Sequence, residues 1–278
     1  MSEAAAIARL LADPDPGIAT ALRRQLAQRG EDPPGLREAI EELLDPVDRS
    51  RARDARLEVG RERAADRVIR RAMASEEPDL EECALEIARM EDPDLDADAT
   101  RRTLDDLGER ARSRIAAASS PRERLEALAA FLGDEEGFGG DRELPEEGSW
   151  SSLPCVLETR RGLPIALSLV YLLVARRAGV ELFGVGAPSH FMVGGPGEED
   201  VLFLDPFDRG RLLDSPGAAN LLVSLGVVFR PEHLAPTPVR PIVARMARNL
   251  ARLHGRRPRG ETRARRYVRV AMALEDAL

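Results

Sequence analysis

The 278-residue sequence contains no lysine; all 41 of its basic residues are arginine. Without a lysine amine there is no Schiff-base chemistry, no phosphate-gripping lysine of a nucleotide loop, and no isopeptide acceptor within the chain. Aromatic residues make up only 4%, so a core must be built from Leu, Val, Ile and Ala. Two cysteines, Cys83 and Cys155, are too few for a disulfide framework or a zinc knuckle. Cys83 falls inside the apolar helical pattern LEECALEIARM and reads as a buried structural thiol. The three histidines are not spaced with Cys or acids in a ligand pattern, so neither a metal nor a cofactor is expected. The stretches GFGG and GGPG lack the strand–loop–helix setting of a phosphate cradle. No apolar run approaches the roughly 20 residues that cross a bilayer. The acidic start MSEAAAIARLL has neither the basic segment nor the cleavage site of a secretory leader. These absences predict a cytoplasmic protein with no membrane partner.

What is present is 43% hydrophobic and 32% charged, the balance of a globular protein. Charge is uneven. From Arg240 onward 11 arginines face only Glu261, Glu275 and Asp276, a net of +8, so the −8 of the whole chain leaves −16 on residues 1 to 239. A basic tail raises the question of nucleic acid. A body of that charge repels phosphate at long range, and arginines on a helical pair can lay their stems down and pair with the acidic body. Nucleic acid is therefore not the expected partner.

Along the chain, short helices alternate with acidic proline turns: Ala4 to Leu11, Ile18 to Arg29 and Leu36 to Leu44, then a longer helix from Asp48 to Ala74. Residues 1–74 thus read as a HEAT-like helical extension. Helices follow from Leu80, from Ala97 to Ala117, and after the start signal Ser120-Pro121-Arg122-Glu123. An exposed loop is expected from Asp134 to Ser149. A short helix covers Leu153 to Glu158, and Pro164 starts another that Gly179 ends. Three apolar runs then read as strands, Leu182 to Gly186, Phe191 to Val193 and Val201 to Leu204, with Gly194–Gly197 as a hairpin turn and a further strand at Val227 to Phe229. Residues 233–278 form a helical hairpin like one tetratricopeptide unit. Helices first and an antiparallel sheet later make the fold class α+β.

One constellation carries chemistry. His190 opens one strand-like run and Asp205 closes another, 15 residues apart across the expected hairpin. A general base needs such a carboxylate to fix its tautomer, and a nucleophile within reach. The bland alternatives are a core-edge histidine and an Asp-Pro turn former. Candidate nucleophiles are Cys155, near a helix start with Arg160 and Arg161 close in sequence, and Ser168, one turn after Pro164, where a serine more often bonds its own backbone.

The stretch LPCVLETRRGLPIALSLVYLLVARRAGVELFGVGAPSHFMV, followed by FLDPFDRGRLL, resembles the SirB-type transglutaminase-like proteins of bacteria. It is also similar to the transglutaminase-like segment of a eukaryotic F-box protein. The likeness begins with DLEECALEIARMEDPDLD and EEGFGG, continues through VARMARNLARLHGRR, and covers roughly residues 75–278. It implies a papain-like α+β core at 75–232. In active relatives a Cys at a helix start attacks an amide, His takes its proton, and Asp orients the His. Here His190 and Asp205 match the base and the orienter, while Pro164 stands where the Cys would be. Ser189 replaces the usual Gly before the His, Ala166 replaces a common Ser, and Phe191 and Met192 replace the aromatic pattern that follows it. The resemblance implies a pseudoenzyme that binds or scaffolds a protein or peptide, its His190 and Asp205 vestigial. The alternative is a cysteine hydrolase or acyltransferase using Cys155, His190 and Asp205.

Overall fold

Polar caps and proline turns divide the first part of the chain into helices, seen in a computed structural model that describes residues 1–141, 150–258 and 260–276. Helix α1 (Glu3–Leu11) begins where the Ser2 hydroxyl accepts from the Ala5 amide, and α2 (Pro16–Ala27) where Asp15 accepts from Gly17. Next come α3 (Leu36–Glu41), α4 (Pro46–Met73) and α5 (Leu80–Glu91). Two compact units result: residues 1–70 with 86–95, and residues 71–85 with 96–278.

The first unit encloses Ile7, Leu11, Leu26, Leu36, Ile40 and Val59. Its acidic turns do more than reverse the chain. Asp32 receives the buried Arg56 and Arg63 at 3.0 and 2.6 Å, and Asp94, in the turn after α5, also receives Arg56 and Arg37. Burial raises the Asp94 carboxyl pKa, but the Arg56 and Arg37 guanidiniums outweigh it and hold the group below the usual carboxylate range.

In the second unit Asp96 caps α6 (Ala97–Ile115) and Ser120 caps α7 (Pro121–Ala129), which runs into a π-helical turn, Ala130–Glu135. The Glu123 carboxylate turns back to the Ser119 amide and hydroxyl at 2.7 and 2.8 Å, one residue before the expected capping-box partner. Helix α8 (Leu153–Thr159) precedes α9 (Pro164–Ala178), which is buried on nearly every side and serves as the central helix. Gly179, at φ 76°, ends α9 in the left-handed conformation.

Strands β1 (Phe183–Val185), β2 (Met192–Pro196), β3 (Val201–Asp205) and β4 (Arg211–Leu213) form one antiparallel sheet in sequence order. Helix α10 (Ser215–Ser224) packs Ala218 and Leu222 against Val185, Met192, Phe203 and Leu213 on one face. Helix α9 packs against β1 and β2, and α7 against β2, β3 and β4. Helices α11 (Val239–Gly255) and α12 (Glu261–Glu275) form an antiparallel pair. The protein is thus mostly helical with a small four-stranded antiparallel sheet, an α+β arrangement. None of the described helices is long and apolar enough to cross a membrane.

Several local expectations need correction. The Gly194-Gly195-Pro196 segment is strand, paired to Phe203, Leu202 and Val201, so the turn lies after it. Val227 to Phe229 is not a strand: Val227 closes α10 by bonding the Leu222 carbonyl, and its side chain and that of Phe229 pack on the sheet without pairing. At the start of the expected exposed 134–149 loop Phe138 is buried and Gly139 is bridged to Arg161; residues 142–149 lie outside the described residues. Of the tail arginines, Arg240 donates to the main-chain oxygens of Ala72 and Ser75 at 2.8 and 2.7 Å, and Arg248 pairs with Glu275 of its own hairpin.

Candidate functional site

The β2–β3 register pairs Val193 with Leu204, which leaves His190 just ahead of β2 and Asp205 at the end of β3. Their side chains meet beyond the ladder, with Nε2 of His190 2.9 Å from Oδ1 of Asp205. Both are buried, at 6% and 3% exposure. The same carboxylate oxygen accepts the Phe207 amide at 3.0 Å and caps the 3₁₀ turn Pro206–Asp208. The imidazole stands edge-on to the Phe207 ring at 6.2 Å. Asp205 is therefore turn former and histidine partner at once, and the two readings of the sequence describe one residue doing both.

The turn that presents His190 is strained and clamped. Ser189 adopts φ 62°, in the left-handed region that favours glycine, which accounts physically for the glycine usual before this histidine. Arg245 of α11 donates to the carbonyls of Ala187 and His190 at 2.7 and 2.9 Å, and lies 5.5 Å from the Phe191 ring centre. Just before α11, Thr237 donates its amide to the Gly184 carbonyl and accepts the Gly186 amide on its hydroxyl, both at 2.8 Å, at the outer edge of β1. The approach of α11 to the sheet is thereby fixed.

The loop that presents Asp205 is held by the glycine-rich turn. Gly140 donates to the Phe207 carbonyl at 2.8 Å. A Cβ on Gly140 would fall 2.2 Å from the Phe207 ring, and one on Gly133 would fall 1.9 Å from the Arg209 carbonyl oxygen. The Arg160 guanidinium lies over the Phe138 ring at 4.5 Å and reaches Glu136, while Arg161 donates to the Gly137 carbonyl at 2.6 Å. The three motifs thus interlock: the RRG segment holds the GFGG turn, which holds the DPF loop carrying Asp205.

Among the described residues, no Cys, Ser or Thr side chain is hydrogen-bonded to the pair. Pro164 is the first residue of α9. Ser168, one turn on, is fully buried and donates its hydroxyl to the Phe191 carbonyl at 3.4 Å, which directs its proton at the main chain. Cys155 is the third residue of α8 and partly exposed, its own carbonyl accepting the Thr159 hydroxyl at 2.7 Å. Neither His190 nor Asp205 bonds the side chain of Cys155 or Ser168. Cys83 is buried, and neither cysteine is in a disulfide. Among the described residues, no cluster of three or more His, Cys, Asp or Glu is placed to hold a metal ion.

Two residues of the site were not singled out from the sequence. Arg245 carries the His190 turn, and its only sequence signal was membership of the VARMARNL segment. Tyr171, two turns along α9 from Pro164, is fully buried, and its hydroxyl has no hydrogen-bond partner among the described residues. Burial pushes the phenol well above its usual range, and the charges of Asp134 and Asp205 add to the shift.

Comparison with known proteins gives the site a context. The profile of the transglutaminase-like superfamily matches residues 98–248. A UPF0162 protein of Xylella fastidiosa is 34% identical over 188 residues, 66% of this chain and 67% of that protein. A UPF0162 protein of Pseudomonas aeruginosa is 32% identical over 185 residues, with the same coverage. The human F-box only protein 21 is 35% identical over 97 residues, 32% of this chain and 15% of that protein. No solved structure matches the chain significantly.

Proposed function

The chain belongs to the transglutaminase-like superfamily, and within it we propose that the protein is a pseudoenzyme of the SirB-type group, a cytoplasmic module that binds or scaffolds a protein or peptide. The observation that carries this reading is a buried His190–Asp205 pair with a proline at the start of the neighbouring helix, where active relatives hold the nucleophile. A general base without a nucleophile to deprotonate supplies no acyl transfer. The alternative nucleophiles are poorly served. The Ser168 hydroxyl is directed at a main-chain carbonyl. Arg160 and Arg161, the cations nearest Cys155 in sequence, are engaged with Glu136, the Phe138 ring and main-chain oxygens. The papain-like core then serves as a frame, and the helices before and after it supply binding surface.

Chemical labelling separates this reading from the cysteine hydrolase or acyltransferase that would use Cys155, His190 and Asp205. Iodoacetamide should label Cys155 no faster than an ordinary unactivated, partly exposed thiol, and equally in wild type and His190→Gln. A fluorophosphonate should leave Ser168 unlabelled. His190-dependent acceleration at Cys155 would sink the pseudoenzyme reading in favour of the enzyme. For the binding role, affinity capture with wild type and a cleft variant, Pro164→Arg, should differ in at least one retained protein. Identical profiles would count against the cleft.

A further inference from the structure

Beside the His190 turn, a cavity of about 600 Å³ is lined by Pro164, Ser189, Arg245, Arg248, Asn249 and Arg252. The last four stand at i, i+3, i+4 and i+7 on α11 and so share one face of that helix. Three guanidiniums in one pocket require counter-charge. No described carboxylate lines the cavity. Arg248 is paired with Glu275 of α12. Arg245 spends its donors on the Ala187 and His190 carbonyls, which accept hydrogen bonds but cancel no charge. Arg252 is exposed and has no carboxylate partner among the described residues. Two positive charges are left without an anion. Burial, and then the like charges of Arg248 and Arg252, pull Arg245 below the ordinary guanidinium range, the signature of cations held together without compensation. The first residues of α9, Pro164 and Ile165, add the positive end of a 15-residue helix to the same wall.

From this arrangement we propose that the pocket binds a doubly charged phosphoryl group, free or as a monoester. A dianion matches the two uncompensated charges, whereas a carboxylate leaves one behind. The planar Arg252 guanidinium offers paired donors that fit phosphate oxygens, Asn249 adds an amide donor, and Arg245 contributes its charge. The −16 carried by the rest of the chain is no obstacle at contact range, because exposed charges beyond about 10 Å are screened at ordinary salt. The pocket adjoins the His190–Asp205 pair and shares Pro164, Ser189 and Arg245 with its surroundings, but the charge argument does not depend on whether that pair is catalytic.

Isothermal titration of the full chain tests it, with inorganic phosphate and phosphoserine as separate probes at pH 7.5 and about 0.1 M salt, where screening acts over about 10 Å. One-to-one saturable binding is expected for at least one probe. Comparable affinity for both identifies the phosphoryl group itself as the ligand, and binding of phosphoserine alone identifies a monoester. Arg252→Gln, a change at an exposed side chain with no carboxylate partner among the described residues, should weaken binding at least tenfold. Arg265→Gln, on the exposed Arg265–Glu261 pair of α12, should leave it unchanged. Affinity should also fall on acidification to pH 5, as the second phosphate proton, with a pKa of about 6, is taken up. Absence of saturable binding by both probes overturns the proposal. So does binding that Arg252→Gln leaves intact, or that Arg265→Gln weakens equally.

Discussion

Replacing His190 by alanine should cost stability, and the structure sets the scale. The imidazole is 6% exposed and its Nε2 lies 2.9 Å from an Asp205 oxygen that is itself buried. A hydrogen bond to a charged group contributes about 1.5–3 kcal/mol, and removing one member of a buried pair costs about 3–5 kcal/mol because the other is left without its partner. Asp205 keeps one bond, from the Phe207 amide at 3.0 Å, which places the expected loss near the lower bound, about 3 kcal/mol. The ring also stands against Phe207, so its removal opens space beside the 3₁₀ turn. Asp205→Asn keeps shape and a neutral bond and should cost only about 1 kcal/mol. Guanidinium denaturation of His190→Ala, Asp205→Asn and a full alanine cycle at both positions measures these values. At about 2–4 °C per kcal/mol for a protein of this size, His190→Ala should melt roughly 6–12 °C below wild type. Functional residues are often held against stability, so that their removal is neutral or stabilising. A loss under about 0.5 kcal/mol, or a gain, would refute a structural role for the pair.

Three further substitutions follow from the same neighbourhood. Tyr171→Phe removes a buried hydroxyl that has no partner among the described residues and should stabilise the protein by about 1 kcal/mol in denaturant titration; destabilisation would mean that the hydroxyl makes a bond. Ser189→Gly relieves a left-handed backbone that costs a non-glycine residue about 1–2 kcal/mol, partly offset by the entropy glycine loses on folding, so a gain of roughly 0.5 kcal/mol is expected in thermal melts. Gly140→Ala drives a methyl group into the Phe207 ring and should cost about 1–3 kcal/mol, with a changed aromatic near-ultraviolet circular dichroism signal showing displacement of that ring.

How far the sequence reveals this architecture depends on whether the signal is local. Caps and proline starts are local chemistry, and Ser120-Pro121 and Leu163-Pro164 open helices where their residue types require. The pairing of His190 with Asp205 follows from strand spacing. Strand β4 has three residues, too few for an alternating pattern, and its existence depends on pairing with β3. The 227–229 run misleads because its apolar residues are buried by packing, and hydrophobicity alone does not distinguish packing from pairing. Gly194 and Gly195 look like a turn because they lack side chains. In the structure that lack of bulk admits Phe183 and Leu182 against the strand. Arg245 is invisible for another reason: it is one of 41 arginines, and only a contact 55 residues away in sequence distinguishes it.

The interlocking of the motifs bears on what their specificity means. In VLE-x-RRG-x-PI, Arg160 and Arg161 hold the Gly137–Gly139 turn. In that turn Gly140 admits the Phe207 ring and bonds its carbonyl. In the DPF loop, Asp205 caps the turn and holds His190, and His190 in turn follows a left-handed Ser189 whose loop is bonded by Arg245. Each member has a packing or hydrogen-bonding partner within this chain of contacts. Sharing these residues with a family would therefore follow from the need to fold two converging loops and is not, by itself, evidence of catalysis. Catalysis would need, besides these residues, a nucleophile within reach of His190, and position 164, where the resemblance places it, carries a proline with no side-chain proton to give.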